Sequence, residues 1–163
     1  MVLRSIMRGV ERLRRCTDGA VVVEFAISVW LLIILMVGAM EFGRAFYHHR
    51  LITNSVRDAS RYLARVEDRN DPAFQANARN LAMRGSIDPT APLLLSYWND
   101  ANTVQFLAAD YDNAAGDYRC AATCAVIRAV ATVPYTPPAS FLGALGINAI
   151  TFSVTHEERF IGE

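Results

Sequence analysis

The chain has 163 residues, 53% of them hydrophobic, and carries 16 basic and 16 acidic side chains for a formal net charge of zero. That length holds one domain plus an appendage and leaves no room for a second, catalytic domain. The balanced charge excludes a global field that would gather nucleic acid or an acidic substrate, so charge matters here by position.

The first such position is the N-terminus, where Arg4, Arg8, Arg12, Arg14 and Arg15 are opposed only by Glu11 and Asp18. An apolar run follows over residues 20–40, AVVVEFAISVWLLIILMVGAM. As a helix rising about 1.5 Å per residue, it matches the roughly 30 Å hydrocarbon core of a membrane. The positive-inside rule then predicts a cytoplasmic leader and an exported remainder after Met40. Two other histories stay open: an uncleaved single-pass anchor, or a signal peptide cut near Val37-Gly38-Ala39. Against the signal peptide stand the long basic region, an apolar region longer than the usual 7 to 15 residues, and Glu24 within it.

Beyond Met40 the stretch EFGRAFYHHRLITNSVRDASRYLARV contains no proline and only one glycine, Gly43. Nothing in it ends a helix. Ala45, His49, Ile52, Val56, Ala59, Leu63 and Val66 alternate spacings of four and three, an apolar seam that predicts an amphipathic continuation. Arg50, Arg57, Arg61 and Arg65 fall on the opposite side and read as a solvated face.

A second helix is predicted from about residue 72 to 84, with Asp71 as its cap, Pro72 in its first turn and Gly85 as its stop. Pro89 and Pro92 break the chain, and residues 93–98 read equally as strand or loop. Residues 103–108 alternate as a strand, and residues 110–120, DYDNAAGDYRC, are turn chemistry. Residues 125–133 form a β-branched strand expected to end at Pro134; residues 140–145 give one helical turn, and residues 149–156 a third strand. The fold class is therefore α+β: a long N-terminal helix, membrane-spanning then amphipathic, with a second helix and an antiparallel sheet of about three strands.

Cys16 falls on the cytoplasmic side of this arrangement, whereas Cys120 and Cys124 fall together in the exported part. An even pair in an oxidising compartment predicts a disulfide, and a metal site would need two further ligands that the sequence does not supply nearby. No phosphate loop, nucleotide fingerprint or nucleophile elbow is present. His48-His49 and His156-Glu157-Glu158 match no zinc hydrolase pattern, with His49 filling a seam slot and His156 ending a strand. Asp110, Asp112 and Asp117 with Gly116 lack the spacing and the closing Glu of a calcium loop. The expectation is no enzyme, no cofactor and no metal.

The sharpest feature is the junction GAVVVEF, residues 19–25, because a carboxylate inside a membrane helix costs about 2.5 to 3.5 kcal/mol at the bilayer centre and asks for a partner. Gly19, Glu24-Phe25, the apolar run, Glu41-Phe42-Gly43-Arg44-Ala45-Phe46 and Ala59-Ser60-Arg61-Tyr62 together resemble the TadE-like minor pilins (pseudopilins) of the tight-adherence (Tad, or Flp) type IV pilus system. The resemblance covers roughly the first 65 residues and departs from the family where Ser28-Val29-Trp30 replaces the proline common at mid-segment. It implies a type IV pilin-like fold and a leader, residues 1–19, removed by a prepilin peptidase between Gly19 and Ala20. Residues 20–40 would then anchor the chain in the inner membrane and residues 41–163 would form the exported domain. Ala20, Glu24 and Phe25 would serve subunit pairing, the new Ala20 ammonium meeting a neighbour's Glu24. The implied partners are the Flp-type major pilin, other TadE- or TadF-like minor pilins, the prepilin peptidase and the inner-membrane assembly platform, with a role in adhesion and biofilm formation. The competing reading of the whole chain is a membrane-tethered periplasmic binding module outside any filament.

Overall fold

With no proline to interrupt it, helix α1 runs unbroken over Thr17–Leu63, 47 residues. The computed structural model describes residues 17–116, 119–120, 122–135, 143, 146 and 149–162. The chain divides after Phe42 into two compact units. In the first, α1 is long and apolar enough to cross a membrane, and its large side chains, Phe25, Trp30 and Leu35 among them, are exposed. A helix apolar on all sides has no preferred inner face; it needs lipid or other helices as its cover.

In the second unit, Gly43–Glu163, the same helix becomes one-sided. Ile52, Val56, Ala59 and Leu63 are buried, as is Ala45, so the predicted seam is the core face. Each large aliphatic side chain buried there contributes about 1.5 to 3 kcal/mol. His49 departs from the expectation. It is exposed and meets Phe152 edge-on, ring centroids 5.6 Å apart, while its neighbour His48 is the one drawn inward. The two histidines flank the buried stripe at about 100° to each other, and Tyr97 and Tyr135 pack on the side of His48.

Helix α2, Pro72–Arg84, has the predicted ends: the Asp71 carboxylate accepts from the Ala73 N–H, Pro72 opens the first turn, and Gly85 closes the helix at φ 69°. That left-handed backbone suits glycine, and the Gly85 N–H donates to the Leu81 carbonyl at 2.9 Å. Ala78, Ala82 and Met83 are the buried residues of α2.

The sheet has the strand order β1-β4-β5, with β1 Val104–Ala108, β4 Val126–Tyr135 and β5 Ile150–Arg159. Both pairings are antiparallel, Val104 opposite Ala131 in one and Val126 opposite Arg159 in the other. β4 is central and alternates cleanly, burying Ile127, Ala129, Ala131, Val133 and Tyr135, the period of two that one covered face demands. Contrary to expectation, β4 does not stop at Pro134. β1 covers it only as far as Ala131, while β5 continues to Ile150 opposite Tyr135, so Pro134 lies where β4 has one neighbour and a missing N–H is tolerated. β5 likewise runs past His156 to Arg159, because Ala129, Arg128, Ile127 and Val126 supply partners for His156 to Arg159. Between β1 and β4 lies a small second sheet, β2 Tyr111–Asp112, within the predicted turn, paired with β3 Thr123–Cys124, beyond it. The segment that read equally as strand or loop is irregular and followed by a 3-10 turn, Ala101–Thr103. The helical turn expected at 140–145 falls outside the described residues apart from Gly143.

Candidate functional site

Gly19, Ala20, Glu24 and Phe25 sit on consecutive turns of α1, all four exposed. Ala20 and Glu24 are four residues apart and share a face. The next residue on that face, Ser28, donates its hydroxyl to the Glu24 carbonyl at 2.9 Å, which satisfies a polar group that an apolar surround would leave unpaired. A Cβ added at Gly19 would meet nothing within 4 Å, and Gly19 has no positive φ. Glycine inside a helix costs about 1 kcal/mol relative to alanine, and nothing among the described residues repays it. The same holds for Phe25, two-thirds exposed. Among the described residues, none packs against Gly19 or the side chains of Ala20, Glu24 and Phe25.

The second unit holds the remaining polar constellations. Arg69, in the link between α1 and α2, donates twice to the Asp110 carboxylate, Nη1 to Oδ1 and Nη2 to Oδ2, both at 2.8 Å. It also donates to the Val126 carbonyl at 3.2 Å and stacks over the Phe160 ring, 5.5 Å from its centroid. Asp110 in turn accepts from the Val126 N–H at 3.2 Å. One guanidinium thus ties the helix link to the loop after β1, to the first residue of β4 and to Phe160, through a bidentate geometry only arginine provides. The signal was absent from the sequence, since Arg69 and Asp110 are 41 residues apart.

Arg69 first, and then the Val126 N–H, hold the Asp110 carboxyl below its ordinary 3.8. Glu157 is lowered too, by bonds from Tyr111 and Arg128. A carboxyl depressed in the folded state gives stability that is complete above its unfolded value, about 3.9 for Asp, and is lost as pH falls through the folded value. Asp110→Asn is therefore expected to flatten the acid limb of the melting temperature below about pH 4, while leaving Arg69 with a weaker acceptor at neutral pH. Thermal melts of both proteins from pH 7 to pH 3 check this; parallel curves refute it.

Asp110 is thus committed to Arg69, Asp112 Oδ1 accepts from the Ala114 N–H at 3.1 Å in a turn, and Asp117 lies outside the described residues. The histidines are in structural surroundings: His48 Nδ1 is 3.1 Å from the Tyr97 hydroxyl, and His156 Nε2 is 3.2 Å from a Glu158 oxygen. Burial, and then the neighbouring Tyr135, push the Tyr97 phenol up to about 12. Glu157 accepts from Tyr111 at 2.8 Å and from Arg128 at 2.6 Å. An open groove of about 540 Å³ lies beside this trio, bordered by Arg119, Cys120, Cys124 and Arg159. Cys120 and Cys124 have their Cα atoms 5.5 Å apart, within the span that a disulfide requires, and Cys124 is fixed opposite Tyr111 by the β2–β3 pairing.

Residues 19–61 match the family model described as TadE-like protein. No curated protein and no solved structure matches the chain significantly. The matched stretch is the part of α1 that contains Gly19, Ala20, Glu24 and Phe25 and most of the buried seam.

Proposed function

We infer that this TadE-like protein, a component associated with a Tad pilus, acts as a minor pilin whose N-terminal helix is its means of assembly. The observation that carries the reading is the combination at the start of α1: an apolar stretch, residues 20–40, whose large side chains are exposed, a glycine before it without an internal reason, and within it one carboxylate, Glu24, one turn beyond Ala20. A membrane holds such a helix as a monomer, with Glu24 near the cytoplasmic end where snorkelling relieves part of its cost. A dry bundle of helices holds it only if the carboxylate finds a cation. Cutting after Gly19 supplies one, the ammonium of Ala20, and a misplaced neighbour would leave both charges buried and unpaired. Registry between subunits then follows from charge neutralisation.

In this reading the basic leader stays in the cytoplasm and is removed by the prepilin peptidase, residues 20–40 anchor the chain, and the second unit is carried to the outside. The assembly platform, the major pilin and other minor pilins are its partners, and it performs no catalysis. The N-terminal residue of the protein recovered from cells is the test. Ala20 is expected; Met40 would indicate a signal peptide and Met1 an uncleaved anchor, and either would overturn the proposal.

Export also sets the state of the cysteines. In an oxidising compartment Cys120 and Cys124 form a small ring that pins β3 at the start of β4. A ring this small removes little unfolded-state entropy, so its contribution is about 2 kcal/mol, the low end of the usual range. Alkylation of the exported chain without reductant, followed by mass measurement, should find neither thiol labelled. Two labelled thiols would exclude the bond.

A further inference from the structure

Nine of the arginines of the second unit fall into two groups. Arg69, Arg79, Arg84, Arg128 and Arg159 each donate to an acceptor of the fold: Asp110, Gln75, the Ala91 carbonyl, Glu157 and the Arg119 carbonyl. Arg50, Arg57, Arg61 and Arg65 are exposed, and their guanidinium groups make no hydrogen bond or ion pair with any described residue. They stand at intervals of seven, four and four along α1 and the turn that follows it, one line of about 22 Å on a single side. The Ala64 N–H still donates to the Ser60 carbonyl, and the Arg65 N–H to that of Tyr62, so the line continues through the helix end.

Two further observations sharpen this face. Phe46 and Tyr47, four and three residues before Arg50, lie on the same side and are 67% and 65% exposed, an apolar anchor at one end of the charge line. At the other end is a shallow depression bordered by Asp58, Arg61, Tyr62, Arg65 and Val66. The opposite side of α1, Ile52, Val56, Ala59 and Leu63, is already consumed by the chain's own core. The arginine side is therefore the one face of this stretch left for a neighbour.

We propose that this face docks an acidic helix of a different subunit, with carboxylates at matching intervals of four and seven and an apolar residue against Phe46 and Tyr47. A second copy of the same chain is disfavoured, because its arginines would face these arginines, and like charges brought together reject a partner more strongly than a poor fit does. Guanidinium forks take carboxylates in paired geometry, and Asp58 alone does not neutralise the line. The inference rests on the reading of the chain as an assembly subunit, and it names the chemistry of the partner: heterotypic, acidic and helical.

The test uses the full chain in its native membrane, with a photocross-linking phenylalanine analogue in place of the exposed Asn54, between Arg50 and Arg57. The expected adduct joins a second, different protein, and its cross-linked peptide carries acidic residues at intervals of four or seven. Changing Arg57→Glu and Arg61→Glu together should cut the adduct by about tenfold or more with an unchanged melting temperature, and changing the facing carboxylates to arginine should restore it. An adduct between two copies, an adduct with lipid alone, no adduct, or one indifferent to the charge reversal overturns the proposal. Sheared filament fractions separate this from the underlying reading. If the chain is in filaments and the reversed variant enters equally well, the docking face is wrong and the pilin reading stands. If the chain is absent from filaments yet makes the charge-dependent adduct, the docking face stands and the pilin reading is wrong.

Discussion

Replacing Trp98 with alanine is expected to cost the second unit about 3 to 5 kcal/mol, the usual range for losing a large buried aromatic. Trp98 is 1% exposed and heads the fully buried side chains in size, yet it sits in a stretch with neither helix nor strand. Its indole N–H donates to the Thr103 hydroxyl at 2.8 Å, and that hydroxyl donates to the Asp100 carbonyl at 2.6 Å. Asp100 caps the 3-10 turn by accepting from the Asn102 N–H at 2.9 Å. The side chain therefore fixes the irregular crossing from α2 to β1 to the core. For a unit of this size the loss corresponds to a fall in melting temperature of roughly 10 to 20 °C, readable by circular dichroism of the detergent-solubilised chain. Trp98→Phe separates the two contributions. It keeps most of the apolar area and loses the donor, and it should cost about 1 kcal/mol more than the shape change alone. A Trp98→Ala variant that melts within a few degrees of the wild type would mean the segment is not held by this anchor.

What the sequence disclosed followed the range of the interactions. The ends of α2 were legible because a cap acts within one turn: Asp71, Pro72 and Gly85 each do locally what their side chains or backbone allow. The seam of α1 was legible because one covered face imposes a period, and it failed only at His49, where two adjacent histidines flank the stripe and the aromatic neighbours 49 and more residues away decide which turns in. Pro134 misled for the same reason. A proline ends a central strand, but whether β4 is central at that point depends on how far β1 reaches. Trp98 was left between strand and loop because its segment has no periodicity; its position is fixed by a pocket, not a pattern.

The candidate site divides in the same way. Glu24 stood out in the sequence because a carboxylate in an apolar run is costly wherever the chain folds, and Gly19 and Ala20 through the family resemblance. The Arg69–Asp110 lock did not, since neither residue has a local oddity and their meeting is a product of the fold. The unbonded arginine line fell between these cases: its spacing was visible, but that Arg69 and Arg128 are bonded through their side chains and these are not is a fact of the folded state.

Glu24→Leu is expected to leave the protein in the membrane and processed but absent from filaments and minor-pilin complexes. The change removes the only ionisable group from residues 20–40, so insertion becomes easier, and cleavage after Gly19 continues if the peptidase reads the glycine and the leader. The failure comes later. In a helix every Cα–Cβ bond leans toward the N-terminus, so Glu24 projects back toward the turn where Ala20 begins, where the proposed pairing puts a cleaved neighbour's ammonium. Without the carboxylate that ammonium is buried alone, a loss of about 3 to 5 kcal/mol, or roughly 150- to 4,000-fold in association. Glu24→Gln tests charge against shape: it preserves the side-chain length and one acceptor, so it should fail less completely than leucine but still fall well below the wild type. Membrane abundance, the N-terminal residue and content of sheared filaments, measured on all three proteins, decide the matter. Equal entry of the leucine variant into filaments would reduce Glu24 to a carboxylate tolerated at the membrane surface, and the assembly of this chain would have to be explained by its arginine face and its apolar helix alone.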